Sequence, residues 1–161
     1  MQSCFVPLST EELLDIRPYR KEDLGAVSLL IQQLGYDIPL ESLRHNLSTF
    51  LNFPENQIFV VDINDKIVGY VALAIHHMIV VNFNRCRIEN LVVNQKHRRK
   101  GIARALLNYT EHYALSKKVS ILDVSSSLKR KNGHVLYKTL GYDNGGREER
   151  AYFRKRIQEN T

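Results

Sequence analysis

The first third of the chain changes from an alternating pattern of apolar and polar residues to a helical one. Residues 14–18 alternate, which predicts a strand that ends near Pro18, because proline lacks the amide donor of a central strand. Apolar residues then recur every three or four positions over 21–34 and again over 40–51. This spacing predicts two helices, the first ended by Gly35.

The middle third has the composition of β-strands. Gln57–Ile63 and Lys66–Ile75 are rich in β-branched residues, and the dipeptide Asn64-Asp65 between them predicts a hairpin turn. We expect Ile79–Phe83 to lengthen the second arm of this hairpin. Arg85–Val93 has the same composition and predicts a further strand.

The last third alternates helices and strands. Helices are predicted over 101–117 and 131–140, and strands over 119–124 and 151–157. The strand at 119–124 is almost continuously apolar, which is typical of a buried strand in a parallel pair. The strand–loop–helix–strand unit over 85–124 calls for a parallel pair with a right-handed crossover. The fold class is therefore α/β, with a mixed sheet covered by helices on both faces.

The composition indicates one globular domain. The 161 residues, 43% hydrophobic and 25% charged, suffice for a single core. We expect a lead-in over 1–12 and one domain over 13–161. No apolar run is long enough to span a membrane, and the N-terminus lacks the features of a signal peptide. Two cysteines cannot form a disulfide framework, so we expect a cytoplasmic protein.

The net charge of +6 is concentrated in two short segments. Residues 96–100 hold four lysines and arginines, and residues 129–131 hold three, with no acidic residue in either segment. The remaining 16 basic residues are offset by 17 acidic ones. Two such loops suggest a phosphate-bearing partner, either a nucleic acid or a nucleotide cofactor, although two solvated loops would have the same composition.

The first basic segment joins a predicted strand to the start of a predicted helix. A helix N-terminus offers free backbone N–H groups and the positive end of the helix dipole, and it binds phosphate well. Gly101 and Ala103 leave room for a ligand to approach the backbone. The segment lacks the Gly-Lys-Ser/Thr of a P-loop and the Gly-x-Gly-x-x-Gly of a dinucleotide-binding fold. It therefore predicts another kind of pyrophosphate site.

These residues resemble a known family. Arg98-x-x-Gly101-x-Ala103, preceded by Ile-Glu-Asn-Leu-Val-Val, resembles the Arg/Gln-x-x-Gly-x-Gly/Ala motif with which GNAT N-acetyltransferases bind acetyl-CoA. Leu-Tyr-Lys-Thr-Leu-Gly-Tyr at 136–142 resembles the family's Leu-Tyr-x-x-x-Gly-Phe/Tyr ending. The resemblance covers roughly 14–157. It implies a mixed, mostly antiparallel sheet of six to seven strands, flanked by helices on both faces, with a splayed central parallel pair.

The resemblance also implies where acetyl-CoA would bind as co-substrate. In GNAT folds the pantetheine arm lies between the splayed strands and contacts the main chain of the first strand, here Leu91, Val92 and Val93. The side chains of these three residues are expected to lie in the core. The loop that follows wraps the pyrophosphate, which implicates Arg98, Arg99, Lys100, Gly101, Ile102, Ala103 and Arg104. No metal is expected.

Glu89 is the candidate general base. An alkylamine is mostly protonated at pH 7, and a carboxylate can take its proton directly or through water. The family often has Glu at this position, two residues before the Leu-Val-Val run, but other members place it where this chain has Arg87. The alternative is a structural ion pair between Glu89 and Arg87 or another basic neighbour.

Tyr137 matches the family's general acid, which protonates the departing CoA thiolate. The alternative is a tyrosine packed at a helix–strand junction. Among weaker candidates, His76-His77 adjoin the predicted acceptor pocket, but adjacent strand residues point to opposite faces and cannot readily chelate one ion. Lys129, Arg130 and Lys131 either reach the adenosine 3′-phosphate or face solvent. Cys86 is expected to fill the core.

The sequence thus predicts an acetyl-CoA-dependent N-acetyltransferase that acts on a primary amine. The Ser126–Gly141 stretch and the length of the 69–93 segment are similar to small-amine and aminoalkylphosphonate acetyltransferases, which favours a small molecule. A protein N-terminal or lysine acetyltransferase is an alternative. So is a basic module that binds RNA or a partner protein, but its basic loops would be expected to carry aromatic residues, and these carry none. No nucleic-acid or membrane partner is expected, and a homodimer is left open.

Overall fold

A computed structural model describes residues 4–7 and 13–143, with side chains from residue 14 onward. It forms two compact units, Met1–Ser125 and Ser126–Thr161. The strands of the first unit are β1 (Cys4–Pro7), β2 (Leu13–Pro18), β3 (Asn56–Ile63), β4 (Lys66–His76), β5 (Arg85–Val93) and β6 (Ile121–Val124). The helices are α1 (Leu24–Gln32), α2 (Leu40–Leu51) and α3 (Ile102–Ser116) in the first unit and α4 (Lys131–Thr139) in the second.

The six described strands form one mixed sheet in the order β1-β2-β3-β4-β5-β6. All neighbours are antiparallel except β5 and β6, which are parallel and connected through α3. The mixed sheet and its parallel pair confirm the predicted fold class. Strand β1 was not expected: it lies within the predicted lead-in, where Cys4 pairs with Ile16 of β2.

The central strands are buried because helices cover both faces of the sheet. Ile58 and Val60 of β3 pack with Val27 and Leu30 of α1 on one face. Phe59, between them in sequence, points to the other face. There its ring contacts two α3 rings edge to face, with centroid separations of 4.9 Å to Tyr109 and 5.1 Å to Tyr113. None of the described helices is long and apolar enough to cross a membrane.

The central hairpin forms where the sequence predicts it. Asn64 and Asp65 connect β3 to β4 with φ values of 51° and 60°, the left-handed conformation that tight hairpin turns require and that Asn and Asp tolerate. Gly35, with φ of 92°, lies just beyond the first helix as expected. The helix predicted over 21–34 consists of a short 3-10 turn over Lys21–Asp23 followed directly by α1.

Two strand predictions require correction, and a third lies outside the described residues. His76 pairs directly with Arg85, so Ile79–Phe83 belongs to the connection between β4 and β5 rather than to the hairpin arm. Strand β6 is shorter than 119–124, and all of its residues are half-buried, because β6 is the last described strand of the sheet. The strand predicted at 151–157 lies beyond the described residues.

A buried ion-pair cluster fixes the start of α1 against the sheet. Arg17 of β2 donates to both carboxylate oxygens of Asp23, at 2.8 and 2.9 Å, and to Asp62 of β3 at 3.1 Å. Asp23 also accepts the Arg20 N–H at 2.7 Å and is buried. Burial by itself raises the pKa of Asp23, but the hydrogen bonds from Arg17 and Arg20 outweigh it and lower that pKa.

Replacing Arg17 with methionine is expected to reduce the free energy of unfolding by about 2–4 kcal/mol at pH 7, because a buried carboxylate loses its guanidinium partner. The folded-state pKa of Asp23 lies below the value of about 3.9 expected in the unfolded chain. The stabilisation is therefore present above that pH and is lost as the pH falls below it. Urea unfolding at several pH values should show the cost of Arg17→Met shrinking between about pH 5 and pH 3.

The matched control is Arg44→Met. Arg44 pairs with Glu41 at 3.3 Å on the exposed face of α2, and a pair of this kind should contribute less than about 1 kcal/mol. Equal losses in the two variants, or a cost at Arg17 that does not change with pH, would contradict the role given to the Arg17–Asp23 pair.

Candidate active site

Glu89 is the extra residue of a β-bulge in β5. Ala72 of β4 faces Asn90, but the next β4 residue, Leu73, faces Ile88, so Glu89 has no partner of its own on β4. A bulge bends a strand and re-aims the side chain at that point. Glu89 and Asn90 are accordingly consecutive exposed residues, where the regular pattern of the strand would have buried one of them.

The bulge coincides with the point where β5 and β6 part. The parallel register runs from Arg85 and Ile121 to Ile88 and Val124, and stops immediately before Glu89. From there to Val93, β5 is paired within the described sheet only on its β4 side. This is the splayed parallel pair that the sequence resemblance implies, and it leaves one edge of the β5 main chain open to a ligand.

The three β5 residues predicted to contact the pantetheine arm lie along this open edge. Val92 and Val93 are 3% and 9% exposed, and Leu91 is half-buried. Val92 belongs to the core beneath α1. The side chains of Val92 and Val93 therefore lie in the core, as expected, whereas that of Leu91 is only partly buried.

The loop after β5 is held in shape by its own hydrogen bonds. The Asn94 side chain accepts the Lys96 N–H at 2.9 Å and caps a short 3-10 turn over Gln95–His97. Arg98 then turns back, so that its Nε donates to the Val93 carbonyl at 3.1 Å. The loop returns in this way to the end of β5 before α3 begins.

Helix α3 starts from a left-handed turn. Arg99 has φ of 64° and Gly101, the N-cap, has φ of 82°, a conformation that glycine adopts without steric cost. The first hydrogen bond of the helix runs from the Ala105 N–H to the Gly101 carbonyl at 2.9 Å. The N–H groups of the first turn precede this bond and have no partner within the helix.

The start of α3 is strongly positive. Ile102 is buried and anchors the helix, and Ala103 is half-buried. The helix dipole adds its positive end here, and residues 94–105 include no acidic residue. The exposed basic side chains are Arg98, Arg99, Lys100 and Arg104. All seven residues predicted to hold a pyrophosphate therefore lie on one continuous segment whose main chain and charge fit a dianionic group.

A cavity of about 490 Å³ lies on the α1–α2 face of the sheet, beside the bulge. The end of α2, the start of β3, the end of β4 and the bulge in β5 surround it. Its lining residues are Phe50, Phe53, Glu55, Asn56, Ala74, Ile75, His76, His77 and Glu89.

The Glu89 carboxylate in this cavity has a basic neighbour. Glu89 Oε1 lies 3.2 Å from Nε of Arg87, two residues earlier on β5. Nη2 of Arg87 lies 3.4 Å from Oγ of Ser125, just after β6. The pairing anticipated as a structural alternative is thus present. It orients one carboxylate oxygen while Glu89 still borders the cavity, so the contact fits a positioned base as well as an ion pair.

His76 and His77 both border the cavity because β4 ends between them. Because His77 lies beyond the end of β4, the two side chains are not held on opposite faces of the sheet, contrary to the expectation for adjacent strand residues. His77 Nε2 lies 3.9 Å from Oε1 of Glu55. Within the described part of the chain, no group of three or more His, Cys, Asp or Glu residues is placed to hold a metal ion.

Sequence reasoning did not identify the other polar and aromatic residues of the cavity. Glu55 and Phe53 lie in the turn between α2 and β3, a region that carries no motif. The one available signal was the β3–β4 register, which places Asn56 opposite Ala74 and so brings this turn to the end of β4. Cys86 is fully buried as expected, and burial raises the pKa of its thiol to about 11.

Tyr137 lies on α4 in the second unit and is half-buried. Its ring packs against Tyr142 with a centroid separation of 5.5 Å. Burial raises the pKa of Tyr137, and the positive charge of Arg130 opposes only part of this effect. The phenol therefore stays protonated at neutral pH, which is the state a proton donor requires. Lys129, Arg130 and Lys131 are exposed at the start of α4.

Comparison with solved structures finds the same fold. The aminoglycoside N-acetyltransferase AAC(6')-Iy in complex with CoA superposes with a TM-score of 0.80 at 19% identity, over 92% of this chain and 98% of the other. AAC(6')-IG from Acinetobacter haemolyticus gives 0.74 at 19% identity, over 89% and 99%. Ribosomal-protein-alanine N-acetyltransferase from Brucella melitensis biovar Abortus 2308 gives 0.72 at 18% identity, over 90% and 99%.

No sequence among the curated proteins matches this chain significantly. The family model described as Acetyltransferase (GNAT) family matches residues 26–142, which is most of the chain and includes the bulge, the basic loop, α3 and α4. The protein is therefore a member of the GNAT acetyltransferase family.

Proposed function

We propose that the protein transfers the acetyl group of acetyl-CoA to the primary amine of a small molecule in the cytoplasm. The observation that carries the proposal is the bulge at Glu89, which opens one edge of β5 directly before a basic, glycine-started helix. The functional unit would be a single domain over 13–161, with 1–12 as its lead-in.

The first unit offers acetyl-CoA two kinds of contact. The first-turn N–H groups of α3, together with Arg98, Arg99, Lys100 and Arg104, would hold the pyrophosphate. The open edge of Leu91–Val93 would pair with the amides of the pantetheine arm, because a strand edge presents unpaired N–H and C=O groups. Bound in this way, the co-substrate supplies the thioester carbonyl that an amine attacks.

Glu89 would accept a proton from the amine of the acceptor. A protonated amine has no lone pair with which to attack, so one proton must leave before or during the transfer. The amine nitrogen then bonds to the acetyl carbon, the carbon–sulfur bond breaks, and the sulfur leaves as a thiolate. The nitrogen loses a second proton as the amide forms, the sulfur gains one, and the proton first taken from the ammonium passes to solvent. The products are therefore an N-acetylated amine, free CoA thiol and one proton.

Tyr137 would return the proton to the sulfur. Its assignment rests on the Leu-Tyr-x-x-x-Gly-Tyr motif and on its own surroundings, where burial favours the neutral phenol. A phenol that is protonated at neutral pH can donate to a basic thiolate, which is the property that a general acid requires.

The acceptor is the least constrained part of the proposal. The structural neighbours include enzymes named for aminoglycosides and one named for a ribosomal-protein alanine, so similarity of fold does not choose between small molecules and proteins. A cavity of about 490 Å³ beside Glu89 has the size of a small-molecule site, which favours the former.

Gly101→Val is expected to abolish acetyl-CoA binding, because a β-branched side chain at this left-handed position displaces the phosphate-binding turn. Thermal shift with acetyl-CoA measures the loss, since a ligand that binds the native state raises its apparent stability. Gly35→Val is the matched control for backbone strain: it introduces a β-branched side chain at φ of 92°, with no atom within 4 Å.

A folded Gly101→Val variant with unchanged acetyl-CoA affinity would contradict this assignment of the site. The same assay with RNA in place of acetyl-CoA tests the binding-module alternative. A stabilisation by RNA together with none by acetyl-CoA would favour that alternative over the enzyme.

Glu89→Gln is expected to lower kcat by about 10²–10⁴ at pH 7 while leaving acetyl-CoA affinity unchanged. Raising the pH should recover part of the loss, because a larger share of the amine is then already neutral. Steady-state kinetics between pH 6 and pH 9 measure both effects, with Glu111→Gln on the exposed side of α3 as control. Full activity of Glu89→Gln throughout this range would leave Glu89 as a structural partner of Arg87.

Tyr137→Phe is expected to slow transfer by roughly 10²-fold with acetyl-CoA still bound, because the ring remains and only the proton donor is lost. Since burial raises the pKa of this phenol, the loss should be the same at pH 7 and pH 9. Kinetics beside calorimetric CoA binding check this, with Tyr142→Phe as the control for loss of a hydroxyl in the same unit. Wild-type turnover in Tyr137→Phe would make Tyr137 a packing residue.

A further inference from the structure

The described residues that line the cavity beside Glu89 include negatively charged side chains but no lysine or arginine. The negatively charged side chains are the two carboxylates, Glu55 and Glu89. Its remaining walls are largely apolar, with the rings of Phe50 and Phe53 and the side chain of Ile75 among them. A pocket of this composition favours a ligand that is cationic at two points and apolar between them.

The two carboxylates differ in their surroundings. Glu89 is paired with the permanently charged guanidinium of Arg87 at 3.2 Å. Glu55 is 40% exposed in its side chain, and its basic neighbour, His77, lies 3.9 Å away, beyond hydrogen-bonding distance. Glu55 therefore borders the cavity with a negative charge that no close arginine or lysine in the described ion pairs offsets.

The segment that carries Glu55 is held rigidly. The Ile75 N–H donates to the Glu55 carbonyl at 3.2 Å, and the Asn56 N–H donates to the Phe53 carbonyl at 3.0 Å. Nδ2 of Asn56 donates to the Phe50 carbonyl at 2.9 Å, which ties the last turn of α2 to the start of β3. The backbone that carries Glu55, Phe50 and Phe53 is thus fixed along one wall of the cavity, which limits the backbone entropy lost on binding.

We propose that the acceptor is a small diamine or polyamine, whose second ammonium group binds Glu55 while its first amino group reacts beside Glu89. The inference rests on the function proposed above and deepens it. The apolar spacer between the two nitrogens would lie along Phe50, Phe53 and Ile75. Only the nitrogen beside Glu89 loses a proton and gains the acetyl group; the nitrogen at Glu55 stays an ammonium throughout.

The two carboxylates among the described lining residues disfavour acceptors that carry an anion of their own. An amino acid or an aminoalkylphosphonate would bring its own anion toward Glu55, and like charges close together repel. A simple monoamine would leave Glu55 without a counterion and forgo that part of the binding energy. The diamine is the one class of the three that satisfies both carboxylates.

The experiment compares three acceptors of one chain length: 1,6-diaminohexane, hexylamine and 6-aminohexanoate. Release of CoA thiol gives kcat and KM for each. The expected order of kcat/KM is diamine, then monoamine, then amino acid, with about 5- to 30-fold between the first two for one partly exposed ion pair.

The variant Glu55→Gln tests whether Glu55 binds the second ammonium group. It should raise the KM of the diamine about 5- to 30-fold, with little change in kcat, and bring it close to hexylamine, whose constants should not move. Glu111→Gln, an exposed acid on α3 across the sheet, is the matched control and should alter none of the three. Unchanged thermal unfolding of both variants shows that the fold is kept.

Three outcomes would overturn the inference: equal kcat/KM for diamine and monoamine, an equal effect of Glu55→Gln on both, or no acetylation of the diamine by a protein that binds acetyl-CoA. These results are distinguishable from a failure of the proposed function. If a peptide N-terminus is acetylated and the amines are not, N-acetyl transfer stands and the diamine class is wrong. If acetyl-CoA neither binds nor reacts with any acceptor, the proposed function itself fails.

Discussion

The candidate site depends on a single irregularity of the sheet, the point at which β5 leaves β6. Pairing ends at Ile88 because Glu89 is inserted as a bulge, and the same residue brings a carboxylate to the α1–α2 face. A buried strand edge without partners is costly, so the opened edge of Leu91–Val93 must be satisfied by water or by a ligand. The bulge therefore creates, in one step, a carboxylate beside a cavity and a main-chain edge for a second molecule.

Strand β5 keeps its position beyond the bulge because β4 packs closely against its other edge. A Cβ at Gly69 of β4 would lie 2.9 Å from the Val92 carbonyl oxygen, so β4 approaches β5 as closely as a glycine permits. The same Cβ would lie 3.6 Å from Cγ2 of Ile102, an ordinary van der Waals contact with the start of α3. Ile102 is buried, which anchors the helix whose first turn faces the basic loop. Side chains on both faces of β3 and β4 complete the core. The packing of β3 and β4 thus holds β5 in place where β5 lacks pairing with β6.

Charge is divided between the two ends of this arrangement. The loop and helix start after β5 carry the exposed basic residues from Arg98 to Arg104, whereas the cavity before the bulge carries Glu55 and Glu89. Arg87 precedes Glu89 on β5, on the side of the bulge away from the basic loop, with one contact to Glu89 and one to Ser125. Under the proposed function, an anionic co-substrate and a cationic acceptor would be drawn to different ends of one strand, which suits a reaction that must join two molecules in a fixed orientation.

The sequence by itself determined the features that depend on neighbouring residues. The hairpin at Asn64-Asp65, the ends of the helices at glycines and the basic loop before Gly101 follow from local backbone preferences and periodicity, and the structure has them where predicted. Only the tertiary structure decided the bulge at Glu89, the pairing of Cys4–Pro7 with β2, and the meeting of Glu55 with His77 and Glu89 around one cavity. Each of these depends on the register between neighbouring strands, which is set by the packing of both sheet faces and leaves no periodic signal in the chain.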